Sequence, residues 1–576
     1  MKIFLQALFF IPVMAIINSV SAVTVISTDE ALQNVLQKRL LNDRTGVCMA
    51  VAVISDTTIK AIACANPNVR RAIDDQTAFE IGSITKTMTA TLLASMIQSG
   101  QMSLDAPLAD YLPFGTQVPS FKGKPILLRH VVTHTSGLGA LPPDFAPTDA
   151  SNPYANLTEK SLLASLAKVE LKQAPGEVQS YSNFAMMVLS IAIANKAGKS
   201  YEDLLKTRIF LPLGMDGAYI SDSNRPKRIT AAVGHLPNQA VTSPWIFPVN
   251  LAGVGGVRAT LPDMIQYAKA QLGREFDKDA KINSNSAATA NANANANAGL
   301  IKAIAKTQEV IPLTNGQPMG MNWFMRTNAG AEVLFHGGGT GGFSTEILID
   351  KKAGRAVVVL ADTSLTNLGG VSDVALHLLN PDNPIGEARI ATEAPTVLLT
   401  ALEGDYVLSG GLPITLRIKG KALAGQAAGQ SEFAFGYDSR GDFYPLAFDA
   451  ALRPEKLSTG YRFIWLQGGG AQIAKRMAPK GEKLVAVAVS DKELESFIGT
   501  YNLAPNFDIK FFVESGKFYA QATNQPKFLM TALGGAKFIL EAVPAEIEFL
   551  AGDGVTIDAV ELLQNGRKNK ARKVAK

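Results

Sequence analysis

The pattern of the chain changes near Leu398, and this change limits the folds that it can adopt. Before that point helical and strand-like patterns alternate, whereas the remainder consists of short alternating strands with almost no helix. Residues 402–406 (LEGDY) recur as residues 497–501 (FIGTY), and alternating strands follow each copy. This repeat predicts two successive small antiparallel β-barrels, which we assign to residues 398–490 and 491–576.

The preceding part of the chain is long enough for a domain of its own, since 576 residues exceed what one core organises. We expect an α+β domain at 23–385 and a proline-rich linker at 386–397. Residues 283–299 are almost wholly Asn, Ala and Ser, which cannot build a core, so we expect a mobile insertion there. The formal charge of +5 is mild for this length and argues against a nucleic-acid partner.

The amino terminus has the pattern of a signal peptide. Lys2 precedes an apolar run at 3–17, and small residues follow where a signal peptidase would cut. We expect a signal peptide at 1–22, a mature chain starting near Val23, and export, most simply to a bacterial periplasm. The run is short for a membrane span and no second long apolar run follows, so we expect no membrane span in the mature chain.

The two cysteines, Cys48 and Cys64, flank a candidate turn. If the flanking segments pair as a hairpin centred on Asp56, Cys48 lies opposite Cys64. An oxidising compartment would then permit a disulfide. Two buried free thiols fit the sequence equally well, because a shift of register by one residue spoils the geometry.

Ser83 and Lys86 are the first candidates for chemistry. They lie three residues apart at the start of an apolar-periodic helix, which puts the hydroxyl and the amine on one face. A neutral Lys amine can take the proton of a serine, and burial at a helix start favours the neutral amine. The alternative is a capping Ser beside a solvated Lys, which is common in long chains.

The other polar residues of interest give no specific functional signal when each is considered alone. Tyr181 and Asn183 precede an apolar helix, with Asn183 as a natural cap. His130 and His134 lie four residues apart, but no third metal ligand is evident, so we predict helix-end histidines with no metal and no cofactor. His336 begins a glycine-rich strand edge, where a backbone or a substrate can approach closely.

Three motifs in order, SITK at 83–86, YSN at 181–183 and HGG at 336–338, resemble the class C β-lactamase and penicillin-binding serine hydrolase superfamily. The resemblance covers about residues 30–380. It implies a β-lactamase/transpeptidase-like α+β domain, with an antiparallel sheet flanked by helices plus an all-helical lobe. The D-aminopeptidases of this superfamily resemble the chain further in carrying two barrel domains behind the catalytic one.

The resemblance also implies roles. Ser83 would attack a carbonyl, while Lys86 and a Tyr181 of lowered pKa share the duty of general base. Asn183 would orient Lys86 and bind the amide of the substrate. The backbone N–H groups of Ser83 and Gly339 would form an oxyanion hole.

The third motif departs from the pattern of many β-lactamases. His336 stands where a Lys supplies a fixed cation, and Gly337 stands where a hydroxylated residue is usual, followed by Gly338. Capture of a substrate carboxylate should therefore be weaker. We predict an exported serine hydrolase acting on a β-lactam ring or a related amide of a small molecule or short peptide. The alternatives are a D-amino-acid-specific aminopeptidase or carboxylesterase, and a non-catalytic penicillin- or cell-wall-binding protein; no oligomeric state is predicted.

Overall fold

A computed structural model describes most of the chain beyond its first 25 residues. The described residues are 26–66, 72–274, 287–328, 330–457, 460–468, 470–477, 487, 489–504, 507–523, 525–540, 545–552, 556–564 and 567–574. The predicted signal peptide lies outside them. Within these ranges no helix is long and apolar enough to cross a membrane.

The amino-terminal domain combines helices with a sheet and several short ladders. Its helices are α1 (Asp29–Leu40), α2 (Thr85–Gln98), α3 (Leu128–Val132), α4 (Glu159–Leu166), α5 (Asn183–Ala197), α6 (Tyr201–Leu205), α7 (Leu211–Leu213), α8 (Leu261–Gln271), α9 (Ala287–Thr307) and α10 (Val371–Leu379). Its strands are β1 (Cys48–Ile54), β2 (Thr58–Cys64), β3 (Thr77–Glu80), β4 (Ser120–Phe121), β5 (Lys124–Pro125), β6 (Thr230–Ala231), β7 (Arg258–Ala259), β8 (Phe324–Asn328), β9 (Ala331–Gly339), β10 (Ser344–Asp350) and β11 (Arg355–Ala361).

The main sheet has six strands in the order β2-β1-β11-β10-β9-β8, paired antiparallel throughout. Its central strands are buried on both faces, which explains why β1 reads CMAVAVI without polar alternation. Met49 and Val51 belong to the core shared with α1 and α10, while Ala50 and Ala52 belong to the larger core that contains α2 and α5. The sheet thus lies between two layers of helix.

Two apolar helices form the interior of the helical lobe. Nearly all of α2 and α5 is buried, and the buried threonines and the lysine of α2 are hydrogen-bonded. Ser182, not Asn183, is the N-cap of α5: its hydroxyl accepts the Ala185 N–H at 2.9 Å. The predicted cap was therefore wrong by one residue. Gly198 ends the helix in a left-handed conformation, as expected of a C-terminal glycine.

The β1–β2 hairpin has the predicted register. Cys48 lies opposite Cys64, and the two sulfur atoms are bonded. The structure therefore contains the disulfide and not the pair of free thiols.

The insertion predicted at 283–299 is partly helical. Residues 283–286 lie outside the described residues, but α9 begins at Ala287 and continues to Thr307. Its carboxyl-terminal part carries buried Leu300, Ala303 and Ile304, which anchor the helix in the larger core. Alanine has the highest helix propensity, so an anchored end allows the alanine-rich stretch to be helical. The insertion is therefore helical from Ala287 onward.

The carboxyl-terminal region forms two eight-stranded antiparallel barrels, which confirms the predicted fold class. The first contains β13 (Gly404–Leu408), β14 (Pro413–Lys419), β15 (Ala422–Ala427), β16 (Phe433–Asp438), β17 (Phe443–Pro445), β18 (Ala451–Leu457), β19 (Gly460–Gln467) and β20 (Gly470–Arg476), closes between β16 and β17, and has β12 (Ala391–Thr392) against β16. The second contains β21 (Gly499–Ala504), β22 (Phe507–Glu514), β23 (Lys517–Ala522), β24 (Lys527–Gly534), β25 (Lys537–Leu540), β26 (Ala545–Ala551), β27 (Ile557–Gln564) and β28 (Arg567–Lys573).

The sequence repeat corresponds to the same entrance into each barrel. Helices α11 (Thr396–Leu402) and α12 (Asp491–Phe497) lead into the first strands. The Tyr406 hydroxyl donates to the Leu402 carbonyl at 2.9 Å, and the Tyr501 hydroxyl donates to the Phe497 carbonyl at 3.1 Å. Each buried tyrosine thereby ties the last turn of its helix to the barrel interior.

The stretch predicted as a linker is packed between the domains. Arg389 is buried and donates to Asp438 of β16 at 3.1 Å, and Arg44 of the first domain donates to the same carboxylate at 2.8 Å. The carboxylate therefore joins the first domain, the connecting stretch and the first barrel.

Candidate active site

Ser83 lies in a 3₁₀ turn, Gly82–Ile84, between β3 and α2. Gly82 has φ of +52°, and a Cβ atom there would lie 2.7 Å from the backbone nitrogen of Gly339 on β9. A Cβ on Gly338 would overlap the carbonyl oxygen of Ile81. Glycine at these two positions lets the serine turn pack directly against the backbone of the HGG strand.

Lys86 is fully buried beside Ser83. Its Nζ atom lies 2.8 Å from Ser83 Oγ and donates to the Val254 carbonyl at 2.6 Å. Burial lowers the pKa of the amine well below its ordinary value. A neutral amine keeps a lone pair, so Nζ can accept the serine proton while one of its N–H groups holds Val254.

Tyr181 completes the contact around Ser83. The two hydroxyl groups are hydrogen-bonded, and Lys86 Nζ lies 4.8 Å from the centroid of the Tyr181 ring. Burial raises the pKa of Tyr181, so the expectation of a lowered pKa is wrong. A phenolate would need a cation beside it, and burial disfavours the charged form of Lys86. The structure therefore presents Tyr181 as a neutral proton donor.

Asn183 does not contact Lys86 through its side-chain oxygen. Its amide hydrogen-bonds the Tyr154 hydroxyl, and its Oδ1 atom is buried without a partner among the described residues. The Val254 carbonyl, and not Asn183, orients the Lys86 amine. Asn183 Oδ1 is left as an acceptor for another molecule.

His336 is buried at the end of β9 and is neutral. Its Nδ1 atom lies 2.8 Å from the Gly337 carbonyl, and that contact requires the proton on Nδ1. Burial, then the charge of Lys86 when protonated, lowers the pKa of His336 to about 3. His336 Nε2 is then an acceptor, and it is buried without a partner in the described part of the chain. The neutral imidazole is consistent with the prediction that this position lacks a fixed cation.

Sequence reasoning placed His134 at a helix end without a role beside Tyr181, and it missed Asn322. His134 is buried with its ring centroid 4.4 Å from that of Tyr181. Asn322 is buried and its amide donates to the Lys86 carbonyl at 3.3 Å. Residues 134–138 (HTSGL) also resemble the superfamily, whereas no local pattern marks Asn322. Among the described residues, no group of three His, Cys, Asp or Glu side chains could hold a metal ion.

Several known proteins resemble a large part of the chain. The D-alanyl-D-alanine-carboxypeptidase/endopeptidase AmpH of Escherichia coli (strain K12) is 30% identical over 339 residues, which are 57% of this chain and 82% of that protein. Penicillin-binding protein 4* of Bacillus subtilis (strain 168) is 23% identical over 390 residues, 63% of this chain and 79% of that protein.

A solved structure of a β-lactamase/D-alanine carboxypeptidase from Yersinia pestis, complexed with citrate, matches 56% of this chain and 89% of its own, with 25% identity and a TM-score of 0.45. The sequence model of the family described as Beta-lactamase matches residues 35–379. The chain therefore belongs to the beta-lactamase family of serine hydrolases.

Proposed function

We propose that the protein is an exported hydrolase that forms an acyl-enzyme on Ser83 and cleaves a β-lactam ring or a related amide. The observation that carries this proposal is the fully buried Lys86 amine, 2.8 Å from the Ser83 hydroxyl, whose pKa burial lowers well below its ordinary value. A base without a proton beside a serine is the arrangement that makes serine a nucleophile. The similarity to AmpH, named a D-alanyl-D-alanine-carboxypeptidase/endopeptidase, supports an amide between D-amino acids as the substrate.

Acylation would proceed by three coupled proton transfers. Lys86 Nζ takes the Ser83 proton while Oγ bonds to the substrate carbonyl carbon. As the C–N bond breaks, the neutral Tyr181 hydroxyl gives its proton to the leaving nitrogen. The Lys86 ammonium then returns a proton to the Tyr181 phenolate, which restores both groups. In deacylation, Lys86 and Tyr181 would activate a water molecule for attack on the ester.

The growing negative charge on the carbonyl oxygen needs donors that are already in place. We assign the oxyanion hole to the backbone N–H groups of Ser83 and Gly339, which the close packing at Gly82 holds in adjacent segments. Loss of one such donor in other hydrolases lowers kcat by about 100-fold or more.

The acceptors around the nucleophile bear on substrate choice. Asn183 Oδ1 and His336 Nε2 are buried acceptors with no partner among the described residues, so they suit N–H groups of a substrate. Gly337 and Gly338 leave the strand edge open to a peptide backbone. The neutral His336 favours, as a second candidate, substrates without a carboxylate at that position: D-amino-acid amides, as for an aminopeptidase, or esters.

The organisation that we propose for the whole chain is a signal peptide at 1–22, the hydrolase domain at 23–385, a connecting stretch at 386–397, and barrel domains at 398–490 and 491–576. Export rests on the apolar run after Lys2 and on the disulfide between Cys48 and Cys64, since disulfides persist in oxidising compartments.

A labelling experiment with a matched control tests the nucleophile. A fluorescent penicillin or an activated phosphonate should label the wild-type protein and not the Ser83→Ala variant. Ser95→Ala is the control, because Ser95 lies on the same helix and donates only to the Leu92 carbonyl. Turnover is then measured with nitrocefin, a D-alanyl-D-alanine peptide, D-alanine p-nitroanilide and p-nitrophenyl esters. Labelling that persists in Ser83→Ala would refute the proposal, and labelling without turnover of any substrate would favour the non-catalytic penicillin-binding alternative.

A further inference from the structure

His134 holds the segment around Tyr181 from both sides. The Ser180 N–H donates to the His134 carbonyl at 2.7 Å, and the Ser182 N–H donates to His134 Nδ1 at 3.3 Å. The imidazole also packs on the phenol, with ring centroids 4.4 Å apart. One residue thus contacts the ring of Tyr181 and both of its backbone neighbours.

The backbone of His134 adopts an unusual conformation to make these contacts. Its φ is +55°, in the left-handed region that residues with a Cβ atom rarely occupy. Such a conformation costs free energy and persists where the surrounding structure requires it, often at functional sites. In His134 this conformation goes together with contacts from both the backbone carbonyl and the imidazole ring to residues 180–182.

The hydrogen bond to Ser182 fixes the proton on the imidazole. Because Nδ1 accepts that N–H, the neutral ring carries its proton on Nε2. Burial lowers the pKa of His134 well below its ordinary value, so that Nδ1 remains an acceptor. The rings of Tyr181 and Phe324 pack against the His134 imidazole. An imidazolium would carry a proton on Nδ1 and lose the bond to Ser182.

We propose that His134 is a positioning residue that holds the Tyr181 hydroxyl in line with Ser83 and the leaving group. This proposal rests on the proposed function, in which Tyr181 protonates the leaving nitrogen. In this proposal His134 acts through Tyr181 and not on the reacting atoms themselves. Its loss should therefore slow acylation, the step that kcat/KM reports, mainly where the leaving group needs a proton, as in amides and β-lactams.

A pair of substrates with the same acyl group separates positioning from general damage. The p-nitroanilide leaves as an amine and needs a proton, whereas the p-nitrophenyl ester leaves as a stable phenolate. In His134→Phe, which keeps an aromatic ring and removes both nitrogens, we expect kcat/KM on the anilide to fall by about 10-fold to 100-fold and on the ester by less than about 3-fold. Tyr181→Phe should show the same preference, and the double variant should lose no more than Tyr181→Phe alone.

The control is His130→Phe, the same substitution four residues earlier. His130 Nδ1 accepts the Leu127 N–H at 3.1 Å and serves the start of α3, so both substrates should be cleaved at wild-type rates. If His134→Phe does not fold, His134→Asn gives the same measurement, because asparagine tolerates the left-handed backbone.

Equal losses on both substrates, or effects of His134 and Tyr181 that multiply, would overturn the positioning role. Failure of the proposed function has a different signature. In that case the phosphonate does not label Ser83 in the wild-type protein, and neither substrate is cleaved.

Discussion

Substitution of Gly82 by alanine tests how closely the serine turn must pack on β9. The new Cβ atom would lie 2.7 Å from Gly339 N and 3.0 Å from Gly339 O. Non-bonded heavy atoms are most stable at about 3.5 Å or more, so the turn and the strand must separate by roughly 0.8 Å. This displacement would move the two backbone N–H groups that we assign to the oxyanion hole.

The expected loss of activity follows from that displacement. A misplacement of about 1 Å can slow an enzymatic reaction about 100-fold, which corresponds to about 2.7 kcal/mol of transition-state stabilisation. Because the φ of Gly82 is +52°, alanine at this position should also lower the free energy of unfolding by about 1–2 kcal/mol, whatever happens to the active site.

Gly100→Ala separates these two effects. Gly100 also has a left-handed φ, of +72°, but a Cβ atom there meets no atom within 4 Å. We expect both variants to lose thermal stability, and only Gly82→Ala to acylate about 100-fold more slowly in stopped-flow measurements with a chromogenic β-lactam. A folded Gly82→Ala protein that acylates at the wild-type rate would refute the assignment of the oxyanion hole.

Three further predictions concern groups whose state depends on burial or on bonding. Because Lys86 must be neutral to act as base, kcat/KM should rise with pH along a limb that lies well below the ordinary pKa of lysine, and Lys86→Arg should lower it by at least about 100-fold in steady-state assays. The folded pKa of His336, about 3, lies below the unfolded value of 6.5, so the unfolded state binds the additional proton in acid and stability falls as pH falls between these values. Between pH 6.5 and pH 4 the titration of His336 should lower the free energy of unfolding by about 3 kcal/mol. Urea unfolding of His336→Gln should lack this part of the pH dependence, and an unchanged pH dependence would contradict the argument. The disulfide closes a loop with a sequence separation of 16, so the Cys48→Ser/Cys64→Ser double variant should lose up to about 3 kcal/mol of unfolding free energy, and free thiol in the native wild-type protein would count against the bond.

The sequence determined the features that depend on short patterns and their order. Period-2 alternation and the repeated Gly-x-Tyr step at 404–406 and 499–501 were sufficient for two barrels, because strand pairing and a helix-to-barrel entrance are local. The hairpin register followed from the position of its turn, which placed Cys48 opposite Cys64. The spacing of Ser83 and Lys86 placed the two groups within hydrogen-bond reach because helix geometry is fixed.

Only the tertiary structure decided the electrostatic state of the site and the partners of its residues. The raised pKa of Tyr181 and the lowered pKa of His336 follow from burial by segments distant in sequence, so no local pattern contains them. Asn183 contacts Tyr154 instead of Lys86, and His134 contacts residues 180–182, because long-range packing brings these loops together. A motif therefore specifies which groups are present, and packing of the whole domain determines which of them carry protons.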